Sequence, residues 1–293
     1  MSGPILVTGG AGQLATALSF APAVRRVGRP DFDFDRPETI AACFHVINPS
    51  LVVNAAAYTA VDAAESDPDA AYRANRDGPA ELARLCAAAG VPLIHVSTDY
   101  VFDGTKTAPY VETDPTGPQG VYGASKLAGE QAVLASGARA IILRTAWVYG
   151  PIGKNFLLTM LNLGKTRDRL TVVADQHGCP TAADDLAAAI LAIAARIADD
   201  GWLAGYGGVY HAAGTGETTW FDFARAIFEE SARHGAKVPV VEPIPTSAYP
   251  TPAKRPANSR LDCGKLEAVF GVRLPAWRDS VTRTVDAVFA AGR

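Results

Sequence analysis

The stretch PILVTGGAGQLATALSFA, residues 4–21, decides the architecture of this chain. Its first part, PILVTG, is aliphatic and β-branched and predicts a short buried strand, whereas GQLATALSFA predicts a helix. Three glycines, Gly9, Gly10 and Gly12, lie between the strand and the helix. A strand that turns through glycines directly into a helix is typical of the first unit of a parallel α/β sheet.

The glycines also match a ligand-binding pattern. Gly9, Gly12 and Ala15 fit GxxGxx[GA], in which glycine lets the backbone approach a pyrophosphate and the helix N-terminus offers free N–H groups. Glycines after a strand often do no more than turn the chain. Their place between a strand and a helix, at residue 9, favours dinucleotide binding over a bare turn.

The same alternation continues through the first half of the chain. Apolar runs at 49–57, 91–99 and 139–150 predict strands, and the segments 69–90 and 123–137 predict helices. Apolar runs without polar alternation suit strands that are covered on both faces. We therefore predict an α/β fold with a doubly wound parallel sheet. An α/β barrel is the weaker alternative, because the alternation is lost in the second half.

A second lobe is predicted after Gly150. Helical patterns occupy residues 155–167, 184–200 and 221–235, and 170–181 predicts a strand that enters a loop. Residues 241–262, VEPIPTSAYPTPAKRPANSRLD, are rich in proline and predict an irregular loop of the second lobe. The expected domains are residues 1–150, joined by later segments near 170–215, and a discontinuous lobe within 151–293.

Composition excludes several function classes. The 293 residues are 48% hydrophobic and 19% charged, with a net charge of −3, as in a soluble globular protein. No basic field favours nucleic acid, and the apolar run at 184–200 is too short and too closely bounded by charge to span a membrane. The four cysteines, scattered without CxxC or zinc spacing, predict reduced thiols, and with no visible secretory signal a cytoplasmic location is expected.

The reduction of a carbonyl group is suggested by three residues, Thr98, Tyr122 and Lys126. Thr98 ends a predicted strand, where side chains face the ligand crevice, and Tyr122 and Lys126 share one helix face. A tyrosine has a pKa near ~10, which a neighbouring ammonium lowers. Thr98 could then hold a carbonyl oxygen while Tyr122 protonates it and a cofactor supplies hydride. Taken singly, a packed tyrosine and a solvated lysine are the simpler interpretations, but the set favours the reaction.

The segment AVRRVGRPDFDFD, residues 23–35, bears on the choice of dinucleotide. Arg29 lies near the expected end of the second strand, with Arg25 and Arg26 close by, and Asp33 and Asp35 follow. Arginine at this place accommodates a 2′-phosphate, whereas an acid holds the ribose hydroxyl. The sequence favours NADPH, with NADH possible and with ordinary surface charges as the alternative.

Several motifs resemble a known family. TGGAGQL, NAAAYTAVDAAE, STDYVFDG, YGASKLAGE and RTAWVYG resemble the extended short-chain dehydrogenase/reductases, and DQHGCPT with YPTPAKRPANSRLD narrows the resemblance to the dTDP-4-dehydrorhamnose reductases. The resemblance covers essentially the whole chain. It implies a Rossmann-type sheet with a smaller α/β substrate-binding lobe. It also implies NAD(P)H-dependent reduction of the C4 keto group of a dTDP-sugar, dTDP-4-dehydro-L-rhamnose.

The resemblance assigns roles to individual residues. Thr98, Tyr122 and Lys126 would be catalytic, with Tyr122 and Lys126 also near the cofactor. The residues implied to line the cofactor site are Gly12, Gln13, Leu14, Asp33, Phe34, Ala57, Tyr58, Thr59 and Val96, beside Gly9 and Arg29 from the residue argument. Substrate contacts would come from Thr98, Asp99 and Trp147. Arg255 and Arg260 are the candidates for the substrate diphosphate, because guanidinium matches phosphate oxygens bidentately.

Two departures from the family are expected to matter, and two rival functions remain. One departure is that the residue after the end of strand 2 is not the family's usual acid. Some relatives form a magnesium-bridged dimer through glutamates, but residues 14–17 hold no acid, so we expect no bound metal and a monomer or homodimer. A nucleotide-sugar epimerase or dehydratase is one rival. The Asp99–Tyr100 pair, in place of Asp-Glu, argues against dehydration. A regulatory subunit that binds the dinucleotide and a partner enzyme without turnover is the other rival.

Overall fold

The computed structural model describes residues 3–292, in which strands and helices alternate along the first half. The strands are β1 (Ile5–Thr8), β2 (Val24–Arg26), β3 (Leu51–Asn54), β4 (Leu93–Thr98), β5 (Ala140–Thr145), β6 (Val148–Tyr149), β7 (Arg169–Val173), β8 (His177–Gly178), β9 (Thr181–Ala182), β10 (Gly208–His211), β11 (Thr218–Thr219), β12 (Val240–Ile244) and β13 (Asn258–Ser259). The α-helices are α1 (Gln13–Leu18), α2 (Pro37–Ile47), α3 (Val61–Ala64), α4 (Pro68–Tyr72), α5 (Gly78–Ala89), α6 (Val121–Ala135), α7 (Phe156–Thr166), α8 (Ala183–Asp200), α9 (Trp220–Ala232), α10 (Gly264–Phe270) and α11 (Trp277–Ala290).

Six parallel strands form the central sheet, in the order β10-β5-β4-β3-β1-β2. The chain leaves β1 toward β2 and then returns to the other side of β1 with β3, so the strand order reverses there. In such sheets the carboxyl ends of the strands at the reversal form the ligand crevice. The predicted doubly wound α/β sheet is confirmed.

Helices cover both faces of this sheet. On one face α1, α8 and α10 pack against the strands through a cluster that includes Leu18, Ile190 and Phe270. On the other face α2 and α5 pack through Phe44 and Leu82. The strands are therefore apolar on both sides, which explains why their sequences show no clean alternation of polar and apolar residues.

The local structure differs from the sequence expectation in several places. The segment 241–262, predicted to be an irregular loop, contains the strands β12 and β13. The helix predicted over 69–90 runs from Pro68 to Ala89 but contains a π-helical turn, Arg73–Asp77, between α4 and α5. The strand predicted over 139–150 is broken into β5 and β6, because Trp147 takes a left-handed φ of 48°. Helix α2, whose residues begin with Pro37 at the first helical position, was not predicted.

The smaller lobe packs α7, α9 and α11 around a core that includes Leu157, Phe223 and Val285. Strand β7 pairs in this lobe with β12, so the segment that rejoins the large lobe begins at α8, later than the expected position near 170. It continues through β10, which pairs with β5, and α10 also packs against the large lobe. Within residues 3–292 no helix has both the length and the apolar character needed to cross a membrane.

Candidate active site

A cleft of about 1010 Å³ lies at the carboxyl ends of the central strands. It brings together almost all the residues that the sequence and the resemblance singled out. Those on its lining are Gly9, Gly12, Gln13, Leu14, Arg29, Asp33, Phe34, Ala57, Tyr58, Thr59, Val96, Thr98, Asp99, Tyr122, Lys126 and Trp147. Of the predicted site residues, only Arg255 and Arg260 lie off this lining.

The glycine loop has a backbone that side chains would obstruct. Gly9 and Gly10 have φ values of 112° and 53°, and a Cβ on Gly9 would lie 3.0 Å from the carbonyl group of Ala55. A Cβ on Gly28 would lie 2.5 Å from the Cα of Gly10. Helix α1 then begins after Gly12 with no side chain capping its N-terminus. Its free N–H groups and the bare loop fit a pyrophosphate.

The loop is tied to the smaller lobe through Gln13. The Gln13 Oε1 atom accepts a hydrogen bond of 2.9 Å from the Nδ2 of Asn155. Asn155 is also the N-cap of α7, where its Oδ1 accepts from the N–H of Leu158 at 3.0 Å. One buried side chain therefore joins the start of α1 to the start of α7.

Residues 55–59, which we call the cofactor loop, are anchored to the strand ends beneath them. The N–H of Ala56 donates to Thr8 Oγ1 at 3.2 Å and to Asn54 Oδ1 at 3.3 Å. Asn54 Nδ2 in turn bonds His95 Nδ1 at 2.9 Å. Burial lowers the pKa of His95, so the ring is neutral and its Nδ1 accepts. These polar residues lie under the cleft floor and hold the loop in place.

Lys126 is 2% exposed, and its Nζ donates to the carbonyl oxygen of Val96 at 2.7 Å. Burial lowers its pKa to about 8, against the opposing effect of Glu130 one helical turn later. An ammonium that sits in the cleft wall with one protein acceptor retains N–H groups for a ligand hydroxyl. The geometry fits the predicted contact to a ribose.

Tyr122 lies beside Tyr100, with ring centroids 5.4 Å apart. Burial raises the pKa of Tyr122 above its usual value, and a hydrogen bond with Thr98 only partly offsets this. The expected lowering by Lys126 is not seen, because the ammonium is directed at Val96 and the phenol is desolvated. At neutral pH Tyr122 is therefore a protonated phenol, which is the form that a proton donor needs.

The cleft lining also includes Asp99 and Trp147. Asp99 is 4% exposed, and burial raises the pKa of its carboxyl to about 6. Thr98 Oγ1 donates to it at 3.1 Å. The Trp147 indole stacks on Trp220 with centroids 3.5 Å apart, so these rings form an aromatic wall between the lobes.

Arg29 lies three residues beyond the end of β2 and is paired with acids. Its guanidinium, 66% exposed, contacts Asp33 at 2.8 Å and Asp35 at 2.5 Å. The arginine therefore reaches the cleft edge already neutralised, and a phosphate would compete with two carboxylates for its N–H groups.

Arg255 and Arg260 are also engaged by the protein. Arg255 contacts Asp62 at 2.6 Å, and it lies close enough to Tyr100 to lower that phenol's pKa, which burial raises to about 12. Arg260 contacts Glu217 at 3.0 Å and donates to the carbonyl oxygen of Thr107 at 2.6 Å. Arg255 therefore borders the cleft through Tyr100, whereas Arg260 braces a loop away from it.

A buried ionic cluster that was not predicted from the sequence lies next to Lys126 on α6. Glu130 and Arg144 are 2% and 5% exposed at their side chains and pair at 2.6 Å. Ser97 donates to Glu130 at 2.5 Å. Glu130 follows Lys126 by four residues, so the two side chains share one helix face. This spacing would have allowed Glu130 to be predicted as a neighbour of Lys126.

The described part of the chain, residues 3–292, holds no group of three or more acidic, histidine or cysteine side chains arranged for a metal ion. The four cysteines are unpaired thiols. Burial raises the pKa of Cys86 and Cys263 to about 12 and that of Cys179 to about 11, so these thiols are unreactive.

Comparisons with known proteins agree with this geometry. The family described as the RmlD substrate binding domain matches residues 3–289. A dTDP-4-dehydrorhamnose reductase of Sinorhizobium fredii is 47% identical over 99% of both chains. Solved reductases of that name superpose with TM-scores of 0.88. The Clostridium acetobutylicum protein is 38% identical, and the match covers 98% of this chain and 99% of that protein. The Bacillus anthracis protein, solved in complex with NADP, is 34% identical, and the match covers 98% of this chain and 100% of that protein. The chain thus belongs to the dTDP-4-dehydrorhamnose reductase family.

Proposed function

We propose that this protein reduces the C4 keto group of dTDP-4-dehydro-L-rhamnose to give dTDP-L-rhamnose, with NADPH as the reductant. The observation that carries the proposal is the meeting of Thr98, Tyr122 and Lys126 with the glycine loop in one cleft. The names of relatives that match nearly the whole chain support the substrate and the cofactor.

The dinucleotide would lie along the cleft from the glycine loop to Lys126. Gly9, Gly12 and the N-terminus of α1 would hold the pyrophosphate, and the cofactor loop would flank the nicotinamide side. Phe34 and Asp33 would lie near the adenine. When bound, the cofactor supplies a hydride to the carbonyl carbon.

The protein's own residues supply position and a proton. Thr98 would turn its single hydroxyl hydrogen from Asp99 to the C4 oxygen and so hold that oxygen near Tyr122. Tyr122 would transfer its phenolic proton to that oxygen as negative charge develops there, and so complete the alcohol. Because burial raises the pKa of Tyr122, the phenol is protonated before each turnover. Lys126 would bind the nicotinamide ribose through the N–H groups that Val96 does not use.

The sugar would lie between the cofactor and the aromatic wall. Trp147 offers a ring face to the sugar, and Asp99 an oxygen to its hydroxyls. Arg255 is the better placed of the two candidate arginines for the diphosphate, since it borders Tyr100 on the lining. To bind it, the guanidinium would exchange Asp62 for phosphate oxygens.

We also propose a cellular location and an oligomeric state for the protein. The location is the cytoplasm, in line with four unpaired cysteines. The protein is a monomer or a homodimer that no metal bridges, since Leu14, Ala15, Thr16 and Ala17 offer no carboxylate at the start of α1. Sedimentation with and without EDTA tests this: a dimer that dissociates on chelation would contradict it.

Turnover of the purified chain tests the function. With NADPH and the 4-keto sugar nucleotide, absorbance at the reduced nicotinamide band should fall in proportion to the product formed. An epimerase would interconvert nucleotide sugars with no net loss of NADPH. A regulatory subunit would bind NADPH and leave its absorbance unchanged. Replacing NADPH by NADH in the same assay measures the cofactor preference.

A further inference from the structure

The cleft lining carries three positively charged side chains, Arg29, Lys126 and Lys154. Arg29 contacts two carboxylates, and the Nζ of Lys126 donates to the carbonyl oxygen of Val96. Lys154 is exposed, and within residues 3–292 its ammonium has no hydrogen bond and no ion pair. It is therefore the cation of the cleft whose whole charge is available to a ligand.

The segment that carries Lys154, residues 150–155, leads from β6 into α7 and lies against the glycine loop. Asn155 donates to Gln13 Oε1 at 2.9 Å, and a Cβ on Gly153 would lie 3.1 Å from the Cγ of Gln13. The residues on both sides of Lys154 thus touch the first residue of α1. This places the backbone of Lys154 next to the loop proposed to hold a pyrophosphate.

The glycine loop brings no positive side chain of its own. Residues 8–18, TGGAGQLATAL, contain neither lysine nor arginine. Helix α1 has only six residues, so few peptide dipoles are aligned behind its N-terminus. Backbone N–H groups can bind the phosphate oxygens of a dinucleotide but do not neutralise the negative charge of its phosphates. A cation beside this loop would supply what the loop lacks.

Three anionic groups would enter the cleft in the proposed reaction. The 2′-phosphate of NADPH is assigned to the region of Arg29, and the diphosphate of the sugar nucleotide to that of Arg255. The third is the pyrophosphate of the dinucleotide, at the glycine loop. The contacts of Gly153 and Asn155 with Gln13 associate Lys154 with this third group.

We propose that Lys154 binds the pyrophosphate of the dinucleotide from the side of the smaller lobe. The inference rests on the proposed function, because it takes NADPH as the ligand of the cleft. A lysine suits this task, since its ammonium is a compact charge with three rotatable donors on a flexible stem. Helix α7 of the smaller lobe begins two residues later, so the dinucleotide would contact both lobes.

The test compares Lys154→Met and Lys154→Arg, with Lys165→Met as the matched control. Lys165 is also an exposed lysine with no bonded partner in the described chain, but it lies at the other end of α7 and off the cleft lining. Fluorescence titration measures the Kd for NADPH and for NADH. Lys154→Met should raise both values about fivefold, Lys154→Arg should stay within about twofold of wild type, and the control should not change.

The salt dependence of the Kd separates a charge effect from a packing defect. The screening length falls from about 10 Å at 0.1 M salt to about 3 Å at 1 M, so an exposed charge contributes less at high salt. The ratio of Kd between Lys154→Met and wild type should therefore fall from about fivefold to less than about twofold. A ratio that does not change with salt would overturn the inference.

The two cofactors and the sugar nucleotide identify which anion Lys154 meets. Equal losses for NADPH and NADH support the pyrophosphate, because both dinucleotides carry it. A loss for NADPH alone would assign Lys154 to the 2′-phosphate, and a raised KM for the sugar nucleotide with unchanged Kd would assign it to the substrate diphosphate. Either result, or unchanged Kd values in Lys154→Met, would overturn the inference. Wild type that binds both cofactors but reduces no sugar nucleotide would contradict the proposed function and leave this inference standing.

Discussion

Helix α6 and the proline-rich segment at residues 241–262 were both predicted to supply polar or charged side chains to the site, and only the helix places them on the cleft lining. On α6, Tyr122 and Lys126 face the cleft together. On the loop, Arg255 pairs with Asp62 and Arg260 with Glu217. A helix fixes the relative direction of its side chains by local geometry alone. An arginine on a loop pairs with a carboxylate that the tertiary fold brings close to it. The sequence near the arginine does not show which carboxylate this is.

The largest expected effect is on the helix, at Tyr122. Tyr122→Phe removes the proton donor while it keeps the ring packing against Tyr100. Because general acid catalysis contributes about 10²–10⁴-fold, kcat should fall by that range, and the Kd for NADPH should be close to wild type. Steady-state kinetics with fluorescence titration of NADPH measure both. Near-normal kcat would show that helix spacing did not identify the donor.

Lys126 should show the next largest effect, and a pH signature. Lys126→Met removes a charge-assisted hydrogen bond that contributes about 1.5–3 kcal/mol, so kcat/KM should fall about ten- to hundredfold, with weaker NADPH binding. Since burial lowers the pKa of Lys126 to about 8 and the charged form is the active one, wild-type kcat/KM should fall as pH rises through about 8.

Glu130→Gln provides a second test of whether the charge on Lys126 controls the pH dependence of kcat/KM. Glu130 raises the pKa of Lys126, so its loss should move the alkaline limb of the pH profile to lower pH. A profile that is flat from pH 7 to 10 in wild type would mean that the Lys126 charge is not needed.

Arg29, which follows β2, is another arginine outside helices and strands, and it tests whether such a residue can select the cofactor. Removing a guanidinium–phosphate contact costs about 1.5–3 kcal/mol, so Arg29→Ala should weaken NADPH about tenfold or more and NADH hardly at all. Asp35→Asn removes one of the two carboxylates that pair with Arg29, so it should increase the preference for NADPH over NADH. KM values for both cofactors in the three proteins decide the matter. Parallel losses for NADPH and NADH would assign Arg29 a purely structural part.

Arg255 should give the smallest effect. The pair with Asp62 must open before a diphosphate can bind, which offsets part of the gain, so Arg255→Ala should raise the KM for the sugar nucleotide about fivefold with kcat unchanged. Arg260→Ala is the comparison variant, because its partners lie off the cleft, and its KM should stay at the wild-type value. A larger rise in Arg260→Ala than in Arg255→Ala would reverse their assignment.

The sequence was informative where local rules decide the structure. The glycine loop, the parallel strands and the spacing of Tyr122 and Lys126 follow from residue types and short distances along the chain. The break at Trp147 and the π-turn at Asn75 do not, because each is imposed by contacts with distant segments. Trp147 stacks on Trp220, and Asn75 bonds Tyr58 and Ser125. Helix α2 was missed although its Pro37 is a usual N-terminal signal.

The Asn155 amide sets an upper limit on communication between the lobes along one route. It caps α7 with its oxygen, and its nitrogen donates to Gln13 and to the carbonyl oxygens of Gly150 and Ile152. The last two bonds hold the side chain when a ligand displaces Gln13, so the effect on α7 passes through the cap. Loss of an asparagine N-cap costs about 0.5–2 kcal/mol. The coupling free energy that the cap can transmit is therefore no more than about 2 kcal/mol, or about thirtyfold in affinity, and reciprocity makes the limit the same in both directions.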